Sequence, residues 1–137
     1  MDTTLTLRIV CGPYAGAEYS FTAPAVCVIG RAPNCELRLS GGLLTETLSR
    51  HHCRIELTPL GAFVQDLGSR NGTALNGVNI GQRPPCRAAA AGPAAGPRHE
   101  LADGDVLRVG GLGFRVRMTA GAGARAGADG SHAAAAC

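Results

Sequence analysis

The chain has 137 residues, enough for one domain but not comfortably two. Its 13 basic residues, all arginine, against 10 acidic ones give a net charge of +3, too small an excess for general nucleic-acid binding. No stretch approaches the roughly 18 apolar residues of a membrane span, and "MDTTLTLRIV" lacks the basic start and apolar run of a secretory leader; the expectation is a cytoplasmic protein without membrane contact.

In chain order, "LTLRIV" (5–10) alternates, with Leu5, Leu7 and Ile9 on one face and Thr6 and Arg8 on the other. "CGPYAG" comes next as a turn, then "EYSF" (18–21), then the apolar run "AVCVIG" (25–30) ending at Gly30. "CELRL" (35–39) alternates, "SGGLLTET" (40–47) is a loop, and "HCRIEL" (52–57) alternates with Cys53, Ile55 and Leu57 on one face. "AFVQDL" (62–67) comes after the turn "TPLG"; "GSRNG" and "LNG" read as tight turns whose Asn-Gly pairs suit positive φ. "VLRVG" (106–110) and "GFRVRM" (113–118) close the pattern as a hairpin.

Apart from alanine runs, nothing is helically periodic over ten residues. The pattern predicts an all-β, antiparallel β-sandwich of about eleven short strands. With only five aromatics, its core must be mostly Val, Leu, Ile and Ala. Residues 83–99 and 119–137 are Ala/Gly/Pro-rich and cannot bury enough apolar side chain to offset their ordering entropy. The first reads as a mobile loop insertion and the second as a disordered tail, so that the domain spans 3–118. The six cysteines (Cys11, Cys27, Cys35, Cys53, Cys86, Cys137) show no CxxC and no metal-ligand spacing. They read as reduced, buried small hydrophobes, and no metal or other cofactor is expected.

"TETLSRHHCRIEL" (45–57) places Ser49 three residues before His52. A nucleophile and its base must hydrogen-bond to each other and need an orienting carboxylate. On an extended strand, positions i and i+3 face opposite ways. There is no GxSxG elbow, and the nearest candidate carboxylate, Asp66, begins the turn "DLGSRNG". No catalytic residue is therefore assigned. His51, His52 and Cys53 splay apart as strand neighbours, which disfavours a metal.

Anion binding fits better. Arg31 comes directly after the strand-ending Gly30, Ser49 and Arg50 sit at a second loop-to-strand junction, and Ser69, Arg70 and Asn71 occupy a third. Were those loops to share one end of the sandwich, guanidiniums, a hydroxyl and an amide would converge on one point. Guanidinium forks match phosphate oxygens, and an Asn amide can both donate to and accept from peptide backbone.

The ordered motifs Gly30-Arg31, Ser49-Arg50-His51-His52 and Asn71-Gly72, with Asn76-Gly77 after them, closely resemble the forkhead-associated (FHA) family, over about residues 5–82 and 101–118. The resemblance implies a phosphothreonine-binding β-sandwich with phosphopeptide-binding loops at one end. In it, Arg31 and Ser49 contact phosphate, Arg50 and Arg70 flank it, and Asn71 holds peptide main chain. Gly30, His52, Gly72, Asn76 and Gly77 are implied to be structural, His52 pinning the loop that presents Ser49. The implied partners are phosphothreonine-containing proteins, such as Ser/Thr kinases or their substrates, bound by an adaptor and not an enzyme. An FHA-like scaffold binding an unphosphorylated protein is the alternative. Thr47 stands where some members place an arginine that selects acidic peptide residues, so preference beyond phosphothreonine is left open.

Overall fold

The computed structural model describes residues 3–11, 15–39, 44–83 and 95–120. Eleven strands are found there: β1 (Thr3–Ile9), β2 (Glu18–Thr22), β3 (Ala25–Gly30), β4 (Leu37–Arg38), β5 (Cys53–Thr58), β6 (Gly61–Asp66), β7 (Thr73–Leu75), β8 (Val78–Gly81), β9 (Arg98–Leu101), β10 (Val106–Val109) and β11 (Leu112–Ala120). A 3-10 turn, Leu44–Thr47, lies between β4 and β5. The strands form two sheets, ordered β2-β1-β11-β10-β7-β8 and β4-β3-β5-β6-β9.

Alternation explains how the sheets face each other. Leu5, Leu7 and Ile9 of β1, Leu107 and Val109 of β10, and Phe114 and Val116 of β11 project inward from the six-stranded sheet. They meet Cys27 and Ile29 of β3, Cys53, Ile55 and Leu57 of β5, Ala62 and Val64 of β6, and Leu101 of β9. Phe114 is the one fully buried aromatic among the described residues, so the core is aliphatic. Each buried side chain of this size stabilises the fold by about 1.5–3 kcal/mol.

The all-β sandwich is present, with several corrections to detail. The β3–β4 pair is parallel, Ile29 opposite Leu37, while the other ladders are antiparallel. The tight turn read at 75–77 is present, with Asn76 (φ 51°) and Gly77 (φ 85°) as its loop, and the residues on either side of it, not assigned as strands, pair as the short hairpin β7–β8. Both loop residues are left-handed, as a two-residue turn matched to strand twist requires. The stretch 83–99, read as one mobile loop, ends in β9, which pairs with β6 from Ala62–Leu101 to Gln65–Arg98. Strand β11 passes the expected boundary at 118 and runs to Ala120. Residues 84–94 and 121–137, most of the two stretches expected to be mobile, lie outside the described residues.

The cysteines divide. Cys27, Cys35 and Cys53 are free and buried. Cys11, at the end of β1, is disulfide-bonded, which corrects the expectation of six reduced thiols. Burial pushes the Cys27 thiol up to about 12, with Glu36 and Cys35 adding to the effect, and pushes Cys53 well up. These two are inert hydrophobes in the core.

Candidate functional site

Three loops meet at one end of the sandwich. Strand β3 ends at Gly30 because nothing larger fits: a Cβ there would lie 2.1 Å from the Arg50 carbonyl oxygen. That approach lets Arg31 N donate to Ser49 O (3.1 Å) and Ala32 N to Arg50 O (3.0 Å). The loop after β3 is thus clipped to the loop before β5. Arg31 Nε donates to Leu48 O (2.5 Å), which fixes the arginine's stem and leaves its terminal nitrogens for another acceptor.

The third loop, between β6 and β7, is organised by Asp66, which is fully buried. Its carboxylate accepts from Gly68 N (2.8 Å), Ser69 N (2.9 Å), Ser69 Oγ (2.5 Å) and Thr73 Oγ1 (2.7 Å). Ser69 Oγ in turn accepts from Gly72 N (2.9 Å), and Gly72 turns the chain at φ 90°. The result is a tight loop whose outer side presents Arg70 and Asn71, both exposed. The same loop grips the chain as it leaves β8 and again as it nears β9. Arg83 N donates to Ser69 O (2.7 Å), Gly96 N to Asp66 O (2.8 Å), and Gln82 Nε2 to Arg70 O (2.9 Å).

His52, also fully buried, ties two of these loops together. Its Nδ1 accepts from Ser49 N (3.1 Å) and its Nε2 lies 2.8 Å from Gly72 O, so the neutral ring carries its proton on Nε2 and donates it there. Burial lowers the His52 pKa, against the opposing pull of the Gly72 hydrogen bond and the Asp66 charge. Ser49 Oγ does not bond to His52; it accepts from Arg70 N (3.0 Å), which leaves its own proton to donate outward. Asp66 spends its oxygens on the loop and not on the imidazole. Ser49, His52 and Asp66 are therefore not wired as nucleophile, base and orienting acid. His51 Nε2 bonds Asn34 Oδ1 (2.9 Å), away from the His52 ring.

Asn71 Nδ2 donates to Thr47 O (2.8 Å), and Gly111 N, at the β10–β11 tip, donates to Thr47 Oγ1 (2.7 Å). Asn76 sits further back and is structural in a literal sense. Its amide donates to Asp105 Oδ1 (3.0 Å) and accepts from Val106 N (2.9 Å), fastening the β7–β8 turn to β10.

Together these contacts shape an open cleft of about 610 Å³, lined by Arg31, Ser49, Arg50, Arg70, Asn71 and Arg83 among others. Only Glu46 among its described lining residues is acidic. None of the four arginines forms an ion pair among the described residues, where the salt bridges are Arg54–Glu56 and Arg98–Glu56. Sequence reading missed Arg83. It belongs to no recognisable motif, and its place in the cleft depends on the bond from its own N–H to Ser69 O.

A model of the FHA domain family matches residues 27–90, a span that holds Gly30-Arg31, Ser49 to His52, Asn71-Gly72 and Asn76-Gly77. That span matches the FHA family, and the fold around it is that of an FHA domain. The remaining strands are accounted for by structural similarity. The FHA domain of an Arabidopsis thaliana hypothetical protein is 27% identical, with a TM-score of 0.67, over 89% of this chain and 91% of that one. An FHA domain whose interactions are described as phosphothreonine-dependent is 28% identical, with a TM-score of 0.62, over 83% and 95%. The FHA domain of FhaA, solved with the intracellular domain of Rv3910, is 28% identical, with a TM-score of 0.61, over 82% and 99%. No curated protein matches by sequence. Among the described residues no helix is long and apolar enough to cross a membrane, and no cluster of His, Cys, Asp and Glu could hold a metal ion.

Proposed function

We propose that this FHA domain is a phosphothreonine-dependent protein-binding module, a cytoplasmic adaptor in Ser/Thr kinase signalling and not an enzyme. The observation that carries the reading is the cleft itself: Arg31, Arg50 and Arg70 line it without carboxylate partners, around a Ser49 hydroxyl whose proton is free to donate. Such a surface suits a dianionic phosphate monoester. Arg31 and Ser49 take phosphate oxygens, Arg50 and Arg70 flank them, and Asn71 holds peptide main chain from its anchored position on Thr47. Leu67, half-buried, also lines the cleft and offers apolar surface to the threonine methyl. The likeness to a domain with phosphothreonine-dependent interactions supports the same reading.

Calorimetry with matched phosphothreonine, phosphoserine and unphosphorylated peptides tests it. Charge-assisted hydrogen bonds are worth about 1.5–3 kcal/mol each, so removing the phosphate should weaken binding at least about tenfold. A methyl group is worth roughly 1 kcal/mol, so phosphothreonine should exceed phosphoserine several-fold. Equal affinity for phosphorylated and unphosphorylated peptides would instead mark a scaffold that binds an unmodified partner.

A further inference from the structure

The arginines outside the cleft differ between the two sheets. On the five-stranded sheet, Arg54 and Arg98 both reach Glu56, at 3.8 and 3.1 Å, and Arg98 stacks 4.6 Å from the Phe63 centroid. These charges have work within the fold. On the six-stranded sheet, Leu7, Ile9, Leu107, Val109, Phe114 and Val116 face inward, so alternation turns Arg8, Arg108, Arg115 and Arg117 outward.

The register brings them together. Arg8 lies directly opposite Arg115, Thr6 opposite Arg117, and Arg108 opposite Gly113. Opposed Cβ atoms are about 5 Å apart, diagonal ones about 7–8 Å, and alternate residues of one strand about 7 Å. Arg115 therefore has three guanidinium-bearing neighbours within about one Debye length at moderate salt. Among the described residues none of the four is ion-paired. Even Glu18, opposite Arg8 on β2, is not within ion-pair distance. Like charges directly opposed weaken an antiparallel pair, so the fold gains nothing from Arg8 facing Arg115, whereas an anionic ligand would.

We propose that the outer face of β1, β10 and β11 is a docking surface for an acidic segment of a partner protein, its carboxylates seated on Arg8, Arg108, Arg115 and Arg117. Charge complementarity selects the occupant, and the rest of the face narrows it. The neighbouring hydroxyls of Thr6 and Ser20 (2.9 Å apart) and Thr4 and Thr22 (3.4 Å) add donors for carboxylate oxygens. Tyr19 and Phe21 pack toward the core, so among the described residues no aromatic platform for nucleic-acid bases is left on this face. Val78, the one exposed large apolar side chain described on this sheet, sits on β8 at the opposite edge, so no apolar wedge faces a bilayer. An extended peptide repeats its side chains on one side about every 7 Å, the spacing of Arg115 and Arg117. The surface starts at the rim of the cleft, because Arg108 is two residues from Gly110, where the β10–β11 tip packs on Thr47. It makes no use of phosphothreonine and stands or falls apart from the cleft.

The test is fluorescence anisotropy of the full chain with an unphosphorylated decaglutamate peptide. The expected result is salt-sensitive binding that weakens about tenfold in the Arg115→Gln/Arg117→Gln variant and is unchanged in Arg31→Ala. A second variant, Arg8→Gln/Arg108→Gln, covers the case in which the first fails to fold, and should show the same loss. No binding by the parent chain overturns the proposal. So does loss in Arg31→Ala alone, which would put the peptide in the cleft. Tighter binding of a single-stranded oligonucleotide, or of phosphatidylserine vesicles, through the same four arginines would assign the surface to nucleic acid or membrane and overturn it equally.

Discussion

Replacing His52 by alanine should separate loop architecture from ligand contact. The ring is fully buried and links Ser49 N to Gly72 O. Gly72 O also accepts from Gly110 N (3.2 Å), so it would keep one partner, whereas Ser49 N would keep none among the described residues. Leaving that donor unsatisfied should cost about 1–2 kcal/mol, reduced if water enters from the cleft. A residual void of roughly 60 Å³, at about 24 cal/mol per Å³, adds about 1.5 kcal/mol. The sum, about 3 kcal/mol, corresponds to a Tm roughly 10–20 °C lower for a domain of this size. Ser49→Ala serves as the control. It removes only the acceptor for Arg70 N, an exposed amide that water can satisfy, so its stability change should stay within about 1 kcal/mol. Thermal melts and then phosphopeptide titration of both variants read the two quantities separately. The expected pattern is a destabilised His52→Ala and a stable Ser49→Ala that binds poorly. A His52→Ala protein that melts like its parent would refute the reasoning, since neither the unpaired donor nor the void could then be real.

Because burial holds His52 below its ordinary value of 6.5, the unfolded chain takes up the proton first. Its contribution is therefore complete above about pH 6.5 and declines as pH falls below it, and Tm measured between about pH 5 and 8 should show an acid limb that flattens in His52→Gln. Gly30→Ala forces a methyl to 2.1 Å from Arg50 O; we expect a loss of about 2–3 kcal/mol in denaturant melts, with impaired phosphopeptide binding because Arg31 and Ser49 share that junction. Native trypsin digestion should spare the bond after Arg98, whose backbone is in a ladder with Gln65 and whose side chain is held by Glu56 and Phe63; cleavage there before global unfolding would show that β9 is not formed.

Where alternation was long enough, the sequence alone located the strands. β1, β5 and β10 show a buried residue at every second position, β11 does so at Leu112, Phe114 and Val116, and β3 is an apolar run closed by Gly30. β7 and β8 have three and four residues with half-exposed patterns, too few for a period to register against the turn signals around them. β9 hid because its "RHEL" comes after an Ala/Pro-rich stretch and contributes a single buried residue, Leu101, to the core. Strand direction is another matter. That β4 runs parallel to β3 is set by where the chain returns, with Leu39 N bonding Gly30 O, and no local pattern encodes it. The positions of Arg31, Ser49, Arg70 and Asn71 could be read because each sits at a strand end beside a Gly, Ser or Asn. Asp66 was visible only as the end of a strand, since its four loop donors come together only in three dimensions. Arg83 left no local signal at all.

The cross-ties around the cleft bear on how fast and at what entropic expense anything can dock there. Arg31 is fixed to Leu48, Arg70 to Ser49, Asn71 to Thr47 and Thr47 to Gly111, so three loops and a hairpin tip act as one rigid rim. An incoming peptide then need not order the receptor's loop backbone, and what is left to immobilise is the exposed side chains such as Arg50 and Arg70, at about 0.5–1.5 kcal/mol each. Association requires no prior rearrangement, so encounter should be set by diffusion and by the field of the unpaired guanidiniums, and differences in affinity between peptides should lie mainly in how quickly they leave.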